Sequence, residues 1–394
     1  MSTPAVIGVL GAGQLGRMLA MAGHRLGLRF RFLDETPDAV AGHVGELVID
    51  SFTQPARLGE FLRGVDLVTY EFENVPVQLA ETLARRVKVY PGVTALATSQ
   101  DRLSEKTMFA ELGIGTPPFA KVDSLEELRT AVAKIGLPAV LKTRRLGYDG
   151  KGQAVLRAPA DVDAAWHALQ GTQQGLERGE GAEASSKQAV PLILEGFVNF
   201  QAEVSILAAR STTGQVAFYP LTENVHEGGI LRISRCPASK RVDGAKFQER
   251  AEQLAEAVLK RLDYVGLLAI ELFVVGDDLL ANEMAPRVHN SGHWTMDGSR
   301  TSQFEQHLRA IMGWPLGATQ ALGFAGMVNL IGPGPELPAF ASVPGARVHW
   351  YAKQPRPGRK VGHINLLERT QADLEAGLVS TFRMLEQRPN RSAH

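Results

Sequence analysis

The chain begins with short apolar runs that alternate with stretches of helical periodicity. Residues 6–10 form a run typical of a buried strand, a glycine-rich turn follows at 11–16, and residues 17–27 show helical spacing before a second strand-like run at 29–33. The alternation continues with strand-like runs at residues 47–49, 67–70 and 88–90. Strand, glycine turn, helix and strand in this order are typical of a doubly wound α/β domain. We therefore predict a first α/β domain over residues 1–98.

Beyond residue 98 the apolar pattern predicts both helices and strands. The predicted helices cover residues 99–113, 125–135, 160–169 and 247–262. Strand-like runs lie at residues 138–141, 191–198, 202–209, 267–275 and 279–284. The segment 171–188 is rich in Gly, Gln, Glu and Ser, so we expect an exposed insertion without chemistry there.

Two of these strands carry glutamates that the predicted register brings together. If residues 276–278 form a three-residue turn and Val275 pairs with Leu279, then Glu271 lies opposite Glu283, with Cβ atoms about 5 Å apart. Adjacent carboxylates repel each other unless a cation offsets their charge. Mg²⁺ accepts one or two carboxylates and completes its shell with phosphate oxygens and water. The alternative is a pair of solvated glutamates at the rim of a sheet.

Side chains suited to an anion crowd the segment after the second of these strands. They are Arg287, His289, Asn290 and His293. Arginine suits a planar anion because its guanidinium can donate two parallel hydrogen bonds. A lone histidine more often makes a structural hydrogen bond, but beside an arginine and a carboxylate pair we favour ligand binding.

A second glycine-rich stretch follows the strand-like run at 138–141. It contains Lys142, Gly147, Gly150, Lys151 and Gly152. Glycines let backbone N–H groups approach an anion closely, which favours a lid over a polyphosphate. The spacing is not that of a Walker loop, because a glycine follows Lys151 where Ser or Thr is required. An ordinary surface hairpin is the alternative.

The glycine turn after the first strand supports a rival hypothesis. Gly11 to Gly16 spell G-x-G-x-x-G, and Asp34 follows about 20 residues later, as in dinucleotide-binding domains. A nicotinamide or flavin oxidoreductase is therefore an alternative, although a tight turn alone would also explain the glycines. Residues 71–74, which include Glu73, follow a strand and could bind hydroxyls or an amine, or could cap the next helix.

Composition narrows the possible partners and the cellular compartment. The 394 residues include 42 basic and 42 acidic side chains, so no net charge favours nucleic acid or a membrane surface. Cys236 is the single cysteine, which excludes a disulfide framework or a cysteine metal cluster within one chain and suits a reducing cytoplasm. We expect neither a secretion signal nor a membrane-spanning segment of roughly 20 apolar residues.

Taken in order, these motifs resemble the ATP-grasp superfamily and, within it, the N5-carboxyaminoimidazole ribonucleotide synthetase family. The matching segments are GQLGR at 13–17, EFEN at 71–74, GYDGKGQ at 147–153, residues 282–293, and Lys353 with RKVGH at 359–363. Each segment alone is weak, but their order over nearly the whole chain is specific.

The resemblance implies an α/β ATP-grasp fold with three domains. These are a Rossmann-like pre-ATP-grasp domain (1–98), an ATP-grasp domain (99–320) with a lid at about 120–197, and a small β-rich C-terminal domain (321–394). It implies a cytoplasmic, homodimeric ligase that uses ATP, with Mg²⁺ or Mn²⁺, and bicarbonate to carboxylate 5-aminoimidazole ribonucleotide through carboxyphosphate in de novo purine biosynthesis. A formate-using ATP-grasp ligase and a non-catalytic ATP-binding module are further alternatives.

The resemblance also implies roles for single residues. Those that would bind the nucleotide are Lys106, Lys142, Gly147, Tyr148, Asp149, Gly150, Lys151, Gly152, Gln153, Glu195, Gly196, Phe197, Val198, Glu203, His226, Asn282 and Glu283. Those that would bind the ribonucleotide are Gln14, Leu15, Glu73, Tyr148, Lys353, Arg359 and Lys360. Arg287, His289, Asn290 and Lys353 would act in catalysis, and Glu271 and Glu283 would hold the metal.

Two positions depart from the wider ATP-grasp pattern. Ala285 stands where many members have an asparagine two residues after the second metal glutamate, so the metal would depend more on the two glutamates. Leu146 stands where a further glycine is expected, so the loop would be stiffer.

Overall fold

The computed structural model describes residues 4–147, 151–176, 190–239, 242, 244–332, 337–338 and 345–386. The strands are Val6–Leu10 (β1), Arg29–Asp34 (β2), Glu46–Ile49 (β3), Leu67–Tyr70 (β4), Lys88–Val89 (β5), Phe119–Val122 (β6), Ala139–Thr143 (β7), Gln153–Leu156 (β8), Leu192–Gly196 (β9), Ala202–Arg210 (β10), Val216–Phe218 (β11), Thr222–Glu227 (β12), Ile230–Cys236 (β13), Gly266–Val275 (β14), Asp278–Ala285 (β15), Phe324–Ile331 (β16), Arg347–Trp350 (β17) and Lys360–Glu368 (β18). The helices are Gln14–His24 (α1), Leu58–Phe61 (α2), Val77–Ala84 (α3), Val93–Ser99 (α4), Arg102–Glu111 (α5), Leu125–Ile135 (α6), Asp161–Leu176 (α7), Gly244–Arg261 (α8), Thr295–Gly298 (α9), Gln303–Met312 (α10) and Gln371–Glu386 (α11), with 3-10 turns at Val40–His43 and Asn290–Gly292.

The first sheet is parallel, with the order β3-β2-β1-β4-β5, which confirms the predicted doubly wound domain. Its central strands are apolar because both faces are covered; Val9 and Val68, for example, are fully buried. The Asp34 carboxylate contacts the glycine turn, since its Oδ2 accepts a hydrogen bond from the Ala12 N–H at 2.7 Å. The acid that marks a dinucleotide site in other folds is therefore used within the turn.

A four-stranded antiparallel sheet, β6-β9-β7-β8, forms the predicted lid region with α6 and α7. Its core contains Leu141, Leu194 and Trp166, all buried. Helix α7 continues to Leu176, so the predicted helix end at residue 169 is wrong, and residues 171–176 of the expected insertion are helical. The rest of the predicted insertion, 177–188, lies outside the described residues.

The largest sheet joins the middle of the chain to its C-terminal part. Its order is β15-β14-β10-β12-β13-β16-β18-β17, with β11 beside β10. Strand β16, from the predicted C-terminal domain, pairs directly with β13 from the predicted ATP-grasp domain. The hydrogen bonding is therefore continuous across residue 320, and the domain limits stay a prediction.

The hairpin of β14 and β15 brings Glu271 opposite Glu283, as predicted, but by a different route. The predicted three-residue turn is wrong, because Asp278 already pairs with Val275 and the turn has two residues. A register shift in the β15 strand at Asn282 then restores the pairing of the glutamates. Because a bulge adds one residue to one strand, two consecutive residues, Asn282 and Glu283, can lie on the same side of the sheet.

The predicted helix over residues 99–113 corresponds to α5, which begins only at Arg102, because Ser99 is the last residue of α4. The chain breaks at Asp101, whose side chain accepts a hydrogen bond from the Leu103 N–H at 3.0 Å and so caps α5. The same carboxylate binds Arg144, with Nε–Oδ1 at 2.9 Å and Nη2–Oδ2 at 2.5 Å. The cap therefore ties α5 to the loop after β7. None of the described helices is both long and apolar enough to cross a bilayer.

Candidate active site

Two adjoining cavities lie where the three sheets meet. One is lined by residues of the first sheet and of the segment after β15, such as Gln14, Glu73 and Arg287. The other lies between the lid sheet and the largest sheet, against residues such as Lys142 and Phe197. The residues that line both cavities are Arg102, His226, Gly229, Glu271 and Glu283. The paired glutamates therefore stand at the junction of the two cavities.

A buried carboxylate with two lysines forms part of the second cavity. Glu195 Oε2 lies 3.0 Å from the Lys142 ammonium and 3.4 Å from that of Lys106. Burial alone would raise the pKa of Glu195, but the two lysines lower it below its ordinary value. Two cations on one anion leave a local excess of positive charge, which suits phosphate.

The two lysines differ in their access to the cavity. Lys142 lines it, whereas Lys106 is fully buried and donates to the Ala281 carbonyl at 3.2 Å. The structure therefore places Lys106 behind the wall, with Glu195 between the two ammonium groups.

Part of the wall of the second cavity is apolar. Phe197 and Phe200 are 47% and 41% exposed, and Phe200 stacks on Phe273 with ring centroids 4.8 Å apart. The other apolar residues that line this wall are Pro117, Val140, Val155 and Val198. Such a wall beside a positively charged pair suits a ligand with a flat base and phosphates.

The two described ends of the glycine loop lie at the cavities. Gly147 lines the first cavity, and Lys151 and Gln153 line the second. Gly152 has φ +70° and packs against Thr143, so a side chain there would be strained and would clash. Leu146, where a glycine was expected, adopts φ +63°, a conformation that costs free energy for a side chain of this size. Tyr148, Asp149 and Gly150 lie outside the described residues.

Glu203 and His226, which were predicted to face the nucleotide, contact each other on the wall of the second cavity. Glu203 Oε2 lies 2.5 Å from His226 Nδ1. Burial lowers the pKa of His226, but the hydrogen bond that it donates to Glu203 and the charge of Glu271 outweigh burial and raise that pKa above the ordinary value.

The two paired glutamates have very different pKa values. Burial and the charge of Glu283 raise the pKa of Glu271 to about 7. Burial would also raise that of Glu283, but the charge and hydrogen bond of Arg102, at 2.6 Å, lower it to about 2. Glu271 is therefore the member of the pair that lacks a full counter-charge.

The residues at the junction fit a divalent cation. Asn282 Oδ1 is buried without a hydrogen-bond partner and lies beside the pair on the cavity wall. Within the described part of the chain, no group of three or more His, Cys, Asp and Glu side chains is arranged to hold a metal. Two carboxylates and a spare amide oxygen agree with Mg²⁺ bound partly through phosphate.

Arg102 and Glu105 were missed by the sequence interpretation. Arg102 donates to Glu283 and, through Nη2, to the Gly147 carbonyl at 3.3 Å, so it joins the carboxylate pair to the glycine loop. Glu105 Oε1 accepts from the Met284 N–H at 2.6 Å, and burial with the Glu283 charge raises its pKa to about 8. A signal was present, because Arg102 lies four residues before Lys106 and three before Glu105, and residues three and four apart share a helix face.

The first cavity contains the residues predicted to bind an anion. The Arg287 guanidinium contacts the Glu73 carboxylate. His289 Nε2 lies 3.4 Å from Glu271 Oε1, and burial and the charge of Arg287 lower the pKa of His289 to about 3. His289 is thus a neutral imidazole at neutral pH. Asn290 exchanges side-chain hydrogen bonds with Asn329, at 3.0 and 2.5 Å.

The remaining predicted residues differ in their position relative to the first cavity. His293 is buried at the wall of this cavity. Its Nδ1 lies 3.0 Å from Nε2 of Gln303. Leu15 and Lys360 also line it. The Lys353 ammonium donates a hydrogen bond to the Gln14 side chain, and burial lowers the pKa of Lys353. Arg359 does not line the cavity, and its Nη1 donates to the Gln354 carbonyl at 3.4 Å.

Three segments of the chain match known protein families. Residues 4–100 match the ribonucleotide synthetase preATP-grasp domain, 107–304 the ATP-grasp domain, and 325–377 the phosphoribosylaminoimidazole carboxylase C-terminal domain. The first segment covers the first sheet. The second covers the lid sheet and the strands β10 to β15 of the largest sheet, and the third covers most of β16 to β18.

Relatives match over almost their entire length. The N5-carboxyaminoimidazole ribonucleotide synthase of Pseudomonas aeruginosa is 48% identical over 380 residues, which cover 96% of this chain and 99% of the relative. The crystal structure of N5-carboxyaminoimidazole ribonucleotide synthetase from Thermus thermophilus is 52% identical with a TM-score of 0.87, covering 97% and 99% of the two chains. The Aspergillus clavatus N5-carboxyaminoimidazole synthase, in complex with ADP and 5-aminoimidazole ribonucleotide, is 28% identical with a TM-score of 0.84, covering 98% and 100%.

Proposed function

Because the chain belongs to the N5-carboxyaminoimidazole ribonucleotide synthase family of ATP-grasp enzymes, we propose that its cleft carboxylates 5-aminoimidazole ribonucleotide with ATP and bicarbonate. The chain is an ATP-dependent ligase of purine biosynthesis, and its product is N5-carboxyaminoimidazole ribonucleotide. The observation that carries the proposal is the position of Glu271 and Glu283 on the wall common to both cavities. A phosphoryl group that is transferred from a nucleotide in the second cavity to an acceptor in the first must pass these two carboxylates.

We assign the second cavity to ATP and the first to the ribonucleotide and bicarbonate. The positive charge of Lys142 and the apolar side chains of Phe197 and Phe200 support the assignment of the second cavity to ATP. Glu73 and Arg287 support the assignment of the first cavity to the ribonucleotide and bicarbonate. A carboxylate can accept a hydrogen bond from an amine, and a guanidinium can bind bicarbonate.

Glu271 and Glu283, with the amide of Asn282, are the groups that would hold Mg²⁺ or Mn²⁺. Bound there, the ion would neutralise phosphate oxygens and stabilise charge on the transferred group, an effect typically worth several kcal/mol. A cation bound there would favour the ionised form of Glu271, because a positive charge lowers the pKa of a neighbouring carboxyl.

The reaction needs an activated carboxyl donor, because bicarbonate is a poor electrophile. A bicarbonate oxygen attacks the γ-phosphorus of ATP, the bond to ADP breaks, and carboxyphosphate forms. The exocyclic amine of the ribonucleotide then bonds to the carboxyl carbon, directly or after release of CO₂, and phosphate leaves. Arg287 and Lys142 stabilise the anionic groups from the two sides.

The amine must lose a proton as the new bond forms. His289 is one candidate acceptor, because its imidazole lies neutral in the first cavity, but its lowered pKa makes it a weak base. The leaving phosphate is the alternative acceptor. Closure of the glycine loop would keep water from carboxyphosphate.

The test is ADP release by the purified chain, measured with each substrate omitted in turn. Release should require both the ribonucleotide and bicarbonate, and ¹³C-bicarbonate should appear in the carbamate product. Equal ADP release without the ribonucleotide would contradict the proposal, and product formation from formate instead would favour a formate-using ligase. The cytoplasmic location and the homodimer stay predictions, and sedimentation of the purified chain would test the latter.

A further inference from the structure

Glu71 is a buried acid that lines neither cavity. Its side chain is 8% exposed and lies under the glycine turn between β1 and α1. Oε1 accepts a hydrogen bond from the Gly13 N–H, and Oε2 accepts one from the Gly16 N–H at 2.6 Å. The carboxylate therefore takes two of the backbone donors at the N-terminus of α1, where a helix favours negative charge.

The three glycines of the turn are fitted to this side chain. A Cβ at Gly13 would lie 2.5 Å from Glu71 Oε1, and one at Gly11 would lie 2.5 Å from Glu71 Cγ. A Cβ at Gly16 would approach Glu71 Oε2 to 3.3 Å. In dinucleotide-binding folds the same glycines admit a pyrophosphate. Here the carboxylate occupies that place.

We infer that Glu71 is a positioning residue, an internal anion that substitutes for a bound phosphate and fixes the ribonucleotide cavity. It joins two loops that both reach this cavity. Gln14 is the first residue of α1, one position after Gly13, and Glu73 is two positions after Glu71. Gln100 Nε2 secures the second loop from its other side by donating to the Glu73 and Val75 carbonyls at 2.8 and 2.6 Å.

This arrangement predicts an effect on one substrate only, and in this respect it rests on the proposed function. Glu71→Gln keeps the shape of the side chain but turns an amide NH₂ toward one of the two N–H donors. The KM for 5-aminoimidazole ribonucleotide should rise about tenfold or more, while the KM for ATP should change by less than about twofold. Ser124→Ala, which removes the N-cap of α6 in the lid, is the control and should leave both values unchanged.

A rescue experiment separates positioning from a general loss of stability. Glu71→Ala removes the atoms of one acetate ion. Acetate should raise the melting temperature of this variant in a saturable manner, by about 2 °C or more, and should lower its KM for the ribonucleotide toward the wild-type value. Acetamide at the same concentration and chloride at the same ionic strength should do neither, and wild type should not respond to acetate.

Two outcomes would overturn the inference. One is an unchanged KM for the ribonucleotide in Glu71→Gln. If Glu71→Ala does not fold, this KM alone decides whether the inference holds. The other is a folded Glu71→Ala that responds equally to acetate and acetamide. The shift in melting temperature can be measured without turnover. If the wild-type protein showed no ribonucleotide-dependent ADP release, the proposed function would be rejected. The shift would still test whether an anion is required at the position of Glu71.

Discussion

Single residues in the cleft derive their properties from partners that are distant in the chain. Glu271 and Glu283 face each other across a hairpin, but only Glu283 has an arginine, so the pKa values of the two diverge to about 7 and about 2. Glu283 is therefore the more acidic member of the pair. A divalent cation would draw Glu271 into the ionised form as well.

Glu283→Gln tests this carboxylate. Loss of the charge should lower turnover about 100-fold or more, since several kcal/mol of transition-state stabilisation are removed. The melting temperature should stay within a few degrees of wild type. Glu249→Gln, on the exposed side of α8, is the control. Turnover near the wild-type rate in Glu283→Gln would remove the metal assignment.

Lys142→Met tests the positively charged side of the nucleotide cavity. The Lys142 ammonium lines this cavity, whereas Lys106 lies behind it. Removing a charge-assisted contact to phosphate should raise the KM for ATP about tenfold or more. Initial rates over a range of ATP concentrations measure the change, with the exposed Lys134→Met in the same lid as control. Equal KM values in all three proteins would contradict the assignment.

At the scale of elements, the N-terminus of α5 links the lid to the rest of the cleft. Asp101 caps the helix and binds Arg144, and Arg102 in the next position reaches both Glu283 and the Gly147 carbonyl. A displacement of this helix end would therefore move the carboxylate pair and the glycine loop together. The element that connects them is a helix start, not a strand.

The Asp101–Arg144 pair predicts a specific dependence of stability on pH. Burial would raise the pKa of Asp101, but the hydrogen bond and charge of Arg144 outweigh it, so the folded-state pKa lies below the ordinary 3.8. The pair thus stabilises the fold fully above that ordinary value, and the contribution is lost as the pH falls through the folded-state pKa.

Asp101→Asn should therefore lower the free energy of unfolding by about 1–3 kcal/mol at pH 6. The difference from wild type should shrink as the pH falls below about 4, because the wild-type carboxylate then also loses its charge. Urea unfolding at a series of pH values measures it. A difference that stays constant down to pH 2 would contradict the assigned pKa shift.

On the scale of the whole molecule, the cleft is built by all three sheets. One core cluster contains buried residues of the first sheet and of the largest sheet, including Val9 of β1, Leu207 of β10 and Met327 of β16. These two sheets therefore share one core, whereas the lid sheet has a separate core and lines the second cavity.

Removal of metal should affect ligand binding but not the fold. Within the described residues the protein offers two carboxylates and no larger cluster, so the cation would enter mainly with the nucleotide. EDTA alone should leave the melting temperature unchanged but abolish ATP turnover. Mg²⁺ and ADP together should raise the melting temperature more than the sum of their separate effects. Unfolding by EDTA alone would show a structural metal instead.

The sequence allowed much of this architecture to be predicted, because periodicity and glycine spacing are local. The strands of the first sheet and the pairing of Glu271 with Glu283 were foreseen in this way, although the turn between their strands was not. The roles of Arg102 and Glu71 were missed because their partners lie 181 and up to 58 residues away. Such contacts depend on how the sheets pack, which a linear pattern does not record.

The bulge at Asn282 has a consequence for changes in chain length. Deleting one residue inside a strand ordinarily turns all the following side chains to the opposite face. Without Asn282, the hairpin would instead keep one uniform register in which Glu271 and Glu283 are still partners. In a deletion scan of residues 279–285, loss of Asn282 should be the change that best preserves folding. The strand thus contains one removable residue, whose amide serves the junction of the cavities and not the sheet.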